Sequence, residues 1–470
     1  MKKIVLLVLI QIFVSFNLFS QYYFYVSTSN ERAKPNLNEK GMSNDEVLNQ
    51  IFKEFEVKSY YQSFPGAKNA ELQRFYEIHL TENKNKDFDS FEKLLKNNKI
   101  FDAIYRSNYY EPAICSNPVA INDEWIANNW INNDALNLLN AQCAWTITVG
   151  DPNIIVGVID TGFDITHEDL INTFVGGIDT IGPPSSSQHG TYVSSCVAAE
   201  TNNGKGIAAI GYNTKVKGYH VSSATLWNGI WQAYLDGIKI INVSWAGASG
   251  TPANVLAVEE MVDNGVVLVV AAGNNMKTQA GSHQAFANIP GVINVSGVDK
   301  NNTHGGTGNA QNGTHVHNQW VDVCALSMGV TGCWQGTYVD FGGTSYAAPQ
   351  VAGVVALIRS INGNLSPADI ENIIKSTTDP ITDAHLYQGL LGTGRGNAYK
   401  AVQAACATTS STVNFIGQVV NTDRAVNSCG DLNVQSVNVQ NEAKLTLNAV
   451  NTITINPPFE VQIGSQLEIK

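Results

Sequence analysis

The sequence predicts an α/β fold, in which a parallel sheet is covered on both faces by helices, with a smaller unit before it and another after it. In residues 113–408, short apolar runs alternate with helical stretches and few charges occur, as is typical of strands buried on both faces. Residues 21–112 are charge-rich and mix strand and helix patterns, which predicts an α+β unit. Residues 409–470 are rich in asparagine and alternate without a helical period, which predicts a small all-β module.

Length and composition narrow the class of protein further. A chain of 470 residues with 44% hydrophobic and 14% charged residues is globular and exceeds one ordinary core. The net charge of −12 argues against nucleic acid as a partner. No stretch beyond the N-terminus reaches the roughly 18 apolar residues that span a bilayer. We expect the protein to be a monomer.

The N-terminus has the pattern of a secretory signal. Two lysines precede an apolar stretch over residues 4–16, and Ser20 is a small residue at a suitable cleavage point. An uncleaved membrane anchor is the alternative, but Gln11 and Ser15 interrupt the short apolar stretch. We therefore assign residues 1–20 as a signal peptide and expect a secreted or cell-surface protein.

In the α+β unit, "RFYEIHLTE" predicts a strand and "DFDSFEKLLKN" predicts an amphipathic helix. In the main domain, predicted strands cover 153–160, 215–221, 238–246, 266–274 and 291–298, and predicted helices include 223–237 and 253–265. Strands that alternate with helices imply right-handed crossovers and a parallel sheet.

Four residues with useful chemistry stand at strand ends or helix starts. Asp160 directly follows Ile159 in "VIDTG" and Asn274 follows "VVAAG", whereas His189 and Ser345 begin helical stretches. In open parallel sheets such groups collect beyond the carboxyl ends of the strands. Each has an ordinary structural explanation when taken singly, such as a serine that caps a helix. Together they supply a nucleophile, its base, the carboxylate that orients the base and an oxyanion donor, which predicts acyl transfer.

The five blocks around these residues resemble the subtilase family of serine peptidases. They are "VIDTGFDITHEDL", "HGTYVSSCVAA", "INVSWAG", "VVAAGNN" and "GGTSYAAPQVAGVVAL", and their order Asp, His, Ser is that of subtilisin. The resemblance implies a three-layer subtilisin-like fold, a triad of Asp160, His189 and Ser345, and Asn274 in the oxyanion hole. Sedolisin relatives carry a glutamate where His189 stands, so the resemblance favours subtilases.

The resemblance also implies how the enzyme is made and what it binds. Residues 21–112 are similar to an inhibitory propeptide that assists folding, with cleavage expected between Pro112 and Asn122. Protein or peptide substrates follow from the family, and the chemistry requires no cofactor. Subtilases often bind structural calcium, for which we assign no ligands. The tail resembles β modules of secreted Gram-negative bacterial enzymes.

One block departs from the family pattern at the expected substrate-binding wall. Ser244-Trp245-Ala246 stands where family members usually have Ser-x-Gly, so a methyl and an indole are added beside the substrate. With Gly273, these residues are our candidate substrate contacts. Neither "SWAGAS" nor "VVAAGNN", the two segments that contain these residues, carries a charged side chain. We therefore expect the substrate to have apolar residues near the scissile bond.

The cysteines and histidines give weaker predictions. An odd count of seven cysteines leaves at least one free thiol. Cys324–Cys333 is our first predicted pair and Cys406–Cys429 the second, with Cys196 expected to be buried and inert. The region 299–320 contains His304, His315 and His317. We expect a solvated loop and assign no metal site there, because no third ligand has a supporting spacing.

Two other functions remain as alternatives. A subtilase-like domain without activity could serve as a binding or adhesion protein, although the four intact residues argue against it. A lipase-type hydrolase would need a Gly-x-Ser-x-Gly turn, and the final glycine is absent after Ser345.

Overall fold

The computed structural model describes residues 20–36, 41–63, 72–80, 88–110, 115, 118–128, 133–180, 187–245, 250–274, 286–308, 314–387, 389–409, 412–422, 424–449 and 451–469. The chain divides into two compact units, one within Phe16–Ala113 and one within Ile114–Lys470. Residues 1–19 of the predicted signal peptide lie outside the described residues. In the described part of the chain, no helix has the length and apolar character needed to cross a membrane.

The first unit is a four-stranded antiparallel sheet with two helices. In chain order it contains β1 (Ser20–Ser27), α1 (Glu46–Glu54), β2 (Val57–Gln62), β3 (Phe75–Leu80), α2 (Phe88–Asn98) and β4 (Ala103–Tyr110). The strands lie in the order β2-β3-β1-β4. Each helix buries an apolar pair four residues apart, Leu48 with Phe52 in α1 and Phe91 with Leu95 in α2, because such pairs share one helix face.

The second unit contains a seven-stranded parallel sheet. Its first elements are α3 (Glu124–Ala127), α4 (Asp134–Leu138), α5 (Ala141–Ala144), β5 (Ile155–Asp160), β6 (Phe174–Thr180), α6 (His189–Ala198), β7 (Lys215–His220), α7 (Leu226–Leu235) and β8 (Ile240–Val243). They are followed by α8 (Pro252–Asp263), β9 (Val267–Ala271), β10 (Val292–Val298), β11 (Val323–Leu326), β12 (Met328–Trp334), β13 (Thr337–Gly342), α9 (Thr344–Ile361), α10 (Pro367–Ser376) and α11 (Ala398–Ala407). The seven parallel strands lie in the order β11-β10-β9-β8-β5-β7-β6, and β12 and β13 form an antiparallel hairpin.

Helices cover both faces of this sheet, as the sequence predicts. Along β5, Val156 and Val158 are buried in the apolar cluster that includes α6 and α9. Ile159 is buried in the cluster on the other face, with α7 and α8. Since successive side chains of a strand point to opposite faces, a strand that is apolar throughout requires a layer on each side. The predicted three-layer α/β fold is confirmed.

The strand order reverses direction at β5. From β5 the chain builds β7 and β6 on one side of the sheet, and β8 to β11 on the other. Such a reversal opens a crevice at the carboxyl ends of the strands on either side of it. Asp160, the last residue of β5, therefore lies at the switch point.

The C-terminal residues form the predicted all-β module, but its strands are parallel and repeat. The strands are β14 (Val413–Ile416), β15 (Val419–Val420), β16 (Arg424–Ser428), β17 (Leu432–Val439), β18 (Lys444–Ala449), β19 (Ile453–Val461) and β20 (Gln466–Ile469). One parallel sheet pairs β17 with β14, β15 and β19, and a second has the order β16-β18-β20. The chain thus alternates between two sheets in successive turns. Sequence analysis missed this repeat, whose signal is the similarity of "VNF", "LNV" and "ITI" at Val413, Leu432 and Ile453.

Two disulfides occur in the second unit. Cys406–Cys429 joins α11 to the turn before β17, as predicted. Cys115–Cys143, which the sequence analysis did not predict, ties the start of this unit to α5.

The predicted Cys324–Cys333 bridge is wrong. Both are free thiols and buried, as is Cys196. Cys324 packs in an apolar cluster with Val298, whereas Cys333 packs in a different cluster with Tyr338. Side chains held in separate clusters cannot meet the short Cβ separation that a disulfide requires, so closeness in sequence was misleading.

Candidate active site

Asp160 and His189 form the core of the site. Asp160 is completely buried at the end of β5, and its Oδ1 lies 2.7 Å from Nδ1 of His189, the first residue of α6. Oδ1 also accepts the N–H of Thr161 at 2.6 Å. A carboxylate can only accept here, so it fixes the proton of the imidazole on Nδ1 and leaves Nε2 as the basic nitrogen.

The charge of Asp160 controls the basicity of His189. Burial of the imidazole acts to lower the pKa of His189, but the negative charge of Asp160 and the hydrogen bond from Nδ1 act in the opposite direction, and the net effect raises that pKa. The ring of His189 also lies against that of Tyr346, with ring centroids 5.5 Å apart. His189 is therefore a base oriented on one side by a carboxylate and on another by an aromatic ring.

Ser345 lies in the first turn of α9 and is linked reciprocally to Ser244. The Ser345 Oγ donates to the Ser244 carbonyl at 3.0 Å, and the Ser244 Oγ donates to the Ser345 carbonyl at 2.7 Å. That carbonyl is available because Pro349, four residues further along α9, has no N–H to donate to it. Because of this proline, the Ser345 carbonyl can accept the hydrogen bond from Ser244 that anchors the backbone of Ser345.

In this structure the hydroxyl of Ser345 is hydrogen-bonded to Ser244, and no hydrogen bond to His189 occurs among the described residues. Hydrogen bonds of this kind are often long or misaligned without substrate. Ser345 therefore lies at the same sheet edge as Asp160 and His189, but its hydroxyl donates to the Ser244 carbonyl and not to His189.

Asn274 follows β9 and is held in one orientation by Thr344. Its Oδ1 accepts the Thr344 N–H at 2.7 Å and the Thr344 hydroxyl at 3.0 Å, and that hydroxyl accepts the Gly273 N–H at 3.0 Å. Because two donors occupy Oδ1, the Nδ2 amino group of Asn274 points the other way. A Cβ at Gly343 would lie 3.3 Å from this nitrogen, so glycine keeps the space in front of it open. The N–H groups in the first turn of α9 have no acceptor within the helix, and together these donors could hold an oxyanion.

The predicted substrate-binding wall is described in part. Trp245 is half-buried and packs against the apolar cluster on the α7 and α8 face of the sheet. Gly273 is buried beside Thr344. Ala246 lies outside the described residues, so its position as a substrate contact stays a prediction.

The expectation of a solvated loop at 299–320 is wrong for its histidines, which are buried or half-buried, whereas residues such as Lys300 and Gly305 are exposed. His304 is completely buried and His315 is 5% exposed. His304 Nδ1 bonds to the Gly297 carbonyl at 2.7 Å and its Nε2 lies 3.2 Å from His317 Nδ1. Residues 315–316 are buried where the Val316 N–H donates to the Gly273 carbonyl at 3.0 Å, which fastens them to the segment that leads into Asn274. In the described part of the chain, no group of three or more His, Cys, Asp or Glu side chains could hold a metal ion.

Sequence analysis missed a pair of buried carboxylates, Asp123 and Asp169, both completely buried. Asp123 accepts the Asn202 N–H on both oxygens, each at 2.9 Å. Asp169 accepts the Asn203 side-chain amide and the Ile207 N–H, both at 2.9 Å. Burial raises the pKa of Asp169 to about 7, although the two hydrogen bonds act to lower it. The negative charge of Asp123 also raises this pKa. Among the described residues, no lysine or arginine forms an ion pair with either carboxylate.

Several known proteins are similar to this chain in sequence or in structure. The family model for the subtilase family matches residues 151–407. A thermophilic serine proteinase of Bacillus sp. (strain AK1) is 34% identical over 273 residues, which are 55% of this chain and 64% of that protein, just under two thirds of its length. Thermitase of Thermoactinomyces vulgaris is 32% identical over 277 residues, which are 56% of this chain and 94% of thermitase. A solved protease structure from Pseudoalteromonas arctica PAMC 21717 has a TM-score of 0.52 at 27% identity and covers 61% of this chain and 100% of that one.

The family model matches more than half of the chain, and its range contains Asp160, His189, Asn274 and Ser345. The seven-stranded parallel sheet and the contact between Asp160 and His189 agree with that match. The chain belongs to the subtilase family of subtilisin-like serine peptidases.

Proposed function

We propose that the chain is a secreted serine endopeptidase that is made as a proenzyme. The observation that carries this proposal is the 2.7 Å contact between Asp160 and His189 at the switch point of the sheet, beside the first turn of α9 that carries Ser345. In this proposal Asp160, His189 and Ser345 are the catalytic triad, and Asn274 is the oxyanion donor.

The proposed reaction proceeds through an acyl-enzyme. Ser345 Oγ attacks the peptide carbonyl while His189 Nε2 takes its proton, and Asp160 stabilises the imidazolium that forms. The oxyanion accepts hydrogen bonds from Asn274 Nδ2 and from the backbone N–H of Ser345. His189 then gives the proton to the leaving amine, and a water molecule activated by His189 hydrolyses the ester. No step requires a cofactor.

Secretion and maturation are supported by features of the whole chain. Residues 1–20 have the signal pattern, and two disulfides suit an oxidising compartment. We propose that residues 21–112, which fall within the compact unit Phe16–Ala113, are an inhibitory propeptide, that residues 113–408 are the peptidase domain and that residues 409–470 are an appended module.

We also propose a structural role for calcium at Asp123 and Asp169. Calcium prefers carboxylate and carbonyl oxygens, and these two buried carboxylates have no cationic partner among the described side chains. The ion would supply charge compensation and would take no part in peptide hydrolysis.

The test of the proposed activity compares Ser345→Ala with the wild-type chain. The variant lacks the nucleophile, so we expect it to lose peptidase activity and to accumulate with residues 21–112 still attached. The wild-type protein should mature when expressed alone. A Ser345→Ala chain that still processes itself would refute processing by this triad, and an inactive wild-type protein would favour the binding or adhesion alternative.

A peptide library tests specificity with the wild-type protein and Trp245→Gly, and Ser345→Ala serves as the inactive control. With the half-buried Trp245 at the wall and no charge in the described segments beside it, large apolar residues should dominate next to the cleaved bond, and Trp245→Gly should weaken that preference. Cleavage that mainly follows Arg, Lys, Asp or Glu would contradict this expectation. It would place the charged partner in a segment such as 275–285, which lies outside the described residues.

A further inference from the structure

His220 is a buried histidine next to the proposed catalytic acid. It is the last residue of β7, is 6% exposed, and lies in register with Asp160 across the β5–β7 pair. The next residue, Val221, donates its N–H to the Asp160 carbonyl at 2.9 Å. The backbone of Asp160 is therefore bonded directly to the strand end that carries His220.

The imidazole of His220 accepts a hydrogen bond from the turn that follows Asp160. The N–H of Gly162 lies 2.9 Å from His220 Nδ1. Since the amide can only donate, Nδ1 must be the unprotonated nitrogen of the ring. Gly162 has a φ of +67°, and a Cβ there would lie 1.3 Å from the Ser187 carbonyl oxygen, so the conformation of this turn requires glycine.

That turn also fixes the start of α6. The Thr161 carbonyl accepts the Gly190 N–H at 2.9 Å, and the Gly162 carbonyl accepts the Thr191 N–H at 3.2 Å. These two amides directly follow His189. The Thr161–Gly162 turn thus connects the residue that carries the carboxylate with the helix turn that carries the imidazole.

We propose that His220 is a positioning residue, which holds the Gly162 amide through Nδ1 and thereby keeps Asp160 and His189 in contact. This inference rests on the proposed peptidase function. Without an acceptor, the buried Gly162 N–H would turn to find another partner, and the turn would move with it. A displacement of about 1 Å in a catalytic pair can reduce the rate about 100-fold.

The test compares His220→Asn with His220→Leu in the full chain. In asparagine, Oδ1 stands close to the place of Nδ1 and can accept from Gly162, whereas leucine has similar bulk and no acceptor. We expect His220→Leu to lower kcat by about 10- to 100-fold with KM within about twofold, and His220→Asn to stay within about threefold of wild type. The acid limb of the kcat/KM profile should move to lower pH in His220→Leu, because His189 loses part of the support of Asp160.

The outcomes separate this inference from the proposed activity. An inactive wild-type protein refutes the peptidase proposal. An active wild type with an unimpaired His220→Leu variant, or with His220→Asn impaired as much as His220→Leu, refutes the role of His220. If His220→Leu does not mature, the rate at which a fluorophosphonate labels Ser345 in the full-length chain replaces kcat, with the same expected order of the variants.

Discussion

Thr344 orients the side chain of Asn274 through two hydrogen bonds whose contributions can be measured separately. Thr344 holds Oδ1 of Asn274 through its backbone N–H at 2.7 Å and through its hydroxyl at 3.0 Å. The side-chain amino group of Asn274 is then free to meet an oxyanion. The backbone contact does not depend on the side chain at 344, whereas the hydroxyl contact does.

Asn274→Ala should lower kcat by about 10² to 10³ with little change in KM, which is the size of the effect of removing one oxyanion donor in subtilisin itself. Thr344→Val should lower kcat by about tenfold, because it removes two neutral hydrogen bonds of the hydroxyl, to Asn274 Oδ1 and from the Gly273 N–H, and keeps the backbone contact. Thr344→Ser retains the hydroxyl and is the matched control. Steady-state kinetics on one peptide substrate measure all three, and a loss below tenfold for Asn274→Ala would mean that another donor dominates.

The sequence identifies the residues to which we assign the chemistry better than those that orient them. Asp160, His189, Asn274 and Ser345 are recognisable because each stands at a strand end or helix start and has a reactive side chain. The residues that orient them act across long stretches of chain: 58 residues separate His220 from Gly162 and 101 separate Ser244 from Ser345. Histidine and serine in such places have no local pattern that distinguishes them from core residues.

At the level of elements, the loop over residues 201–207 bonds to the residue before α3 through Asp123 and to the connection between β5 and β6 through Asp169. Asp123 is the residue that precedes α3, and Asp169 lies between β5 and β6. An unfolded aspartate has a pKa near 3.9, whereas burial raises that of Asp169 to about 7 in the folded protein. Between these values the folded state binds more protons, so the free energy of unfolding falls as pH rises.

We therefore compare the free energies of unfolding of Asp169→Asn and wild type after calcium is removed by a chelator. As the pH rises from about 4 to 8, that of Asp169→Asn should increase relative to that of wild type by up to about 4 kcal/mol. Added calcium should raise the Tm of wild type more at pH 8 than at pH 5, since it binds the carboxylate form, and should do little for Asp169→Asn. Thermal unfolding with and without calcium measures both effects. A wild-type Tm that ignores calcium at both pH values would contradict the proposed site.

The elements of the parallel sheet were predictable to different degrees. The five strands that the sequence predicted, which became β5, β7, β8, β9 and β10, are apolar on both faces because helices cover both. The edge strand β6 was missed, since "FVGGIDT" contains two glycines and a polar end, as edge positions allow. The short β11 was missed because its four residues, "VCAL", give no period to detect.

For the whole molecule, one end of the Cys115–Cys143 bridge, Cys115, lies inside the segment where cleavage is expected, between Pro112 and Asn122. A cut before Cys115 would break the covalent link to the proposed propeptide at once and leave the new N-terminus anchored to α5. A cut after Cys115 would leave the propeptide covalently attached through the bridge. The boundary between the two compact units at Ala113 and Ile114 favours the first order of events.

We therefore expect the two parts of the matured wild-type chain to separate on a denaturing gel without a reducing agent, and N-terminal sequencing to place the cut before Cys115. In Cys143→Ser, which cannot form the bridge, the parts should separate in the same way. Fragments of wild type that separate only after reduction would place the cut on the other side of Cys115.

The C-terminal module has a further property that follows from its parallel turns. Residues in register on neighbouring turns, such as Val413, Leu432 and Ile453, are 19 to 22 residues apart in the chain. A single inserted residue within β17 would reverse the inward and outward side chains beyond it, whereas a duplicated copy of 432–452 would add one complete turn with every inward position preserved. Each such duplication would lengthen the module by about 4.8 Å, the spacing of hydrogen-bonded strands. Its length can therefore change by whole turns while the inward positions of the other turns stay as they are.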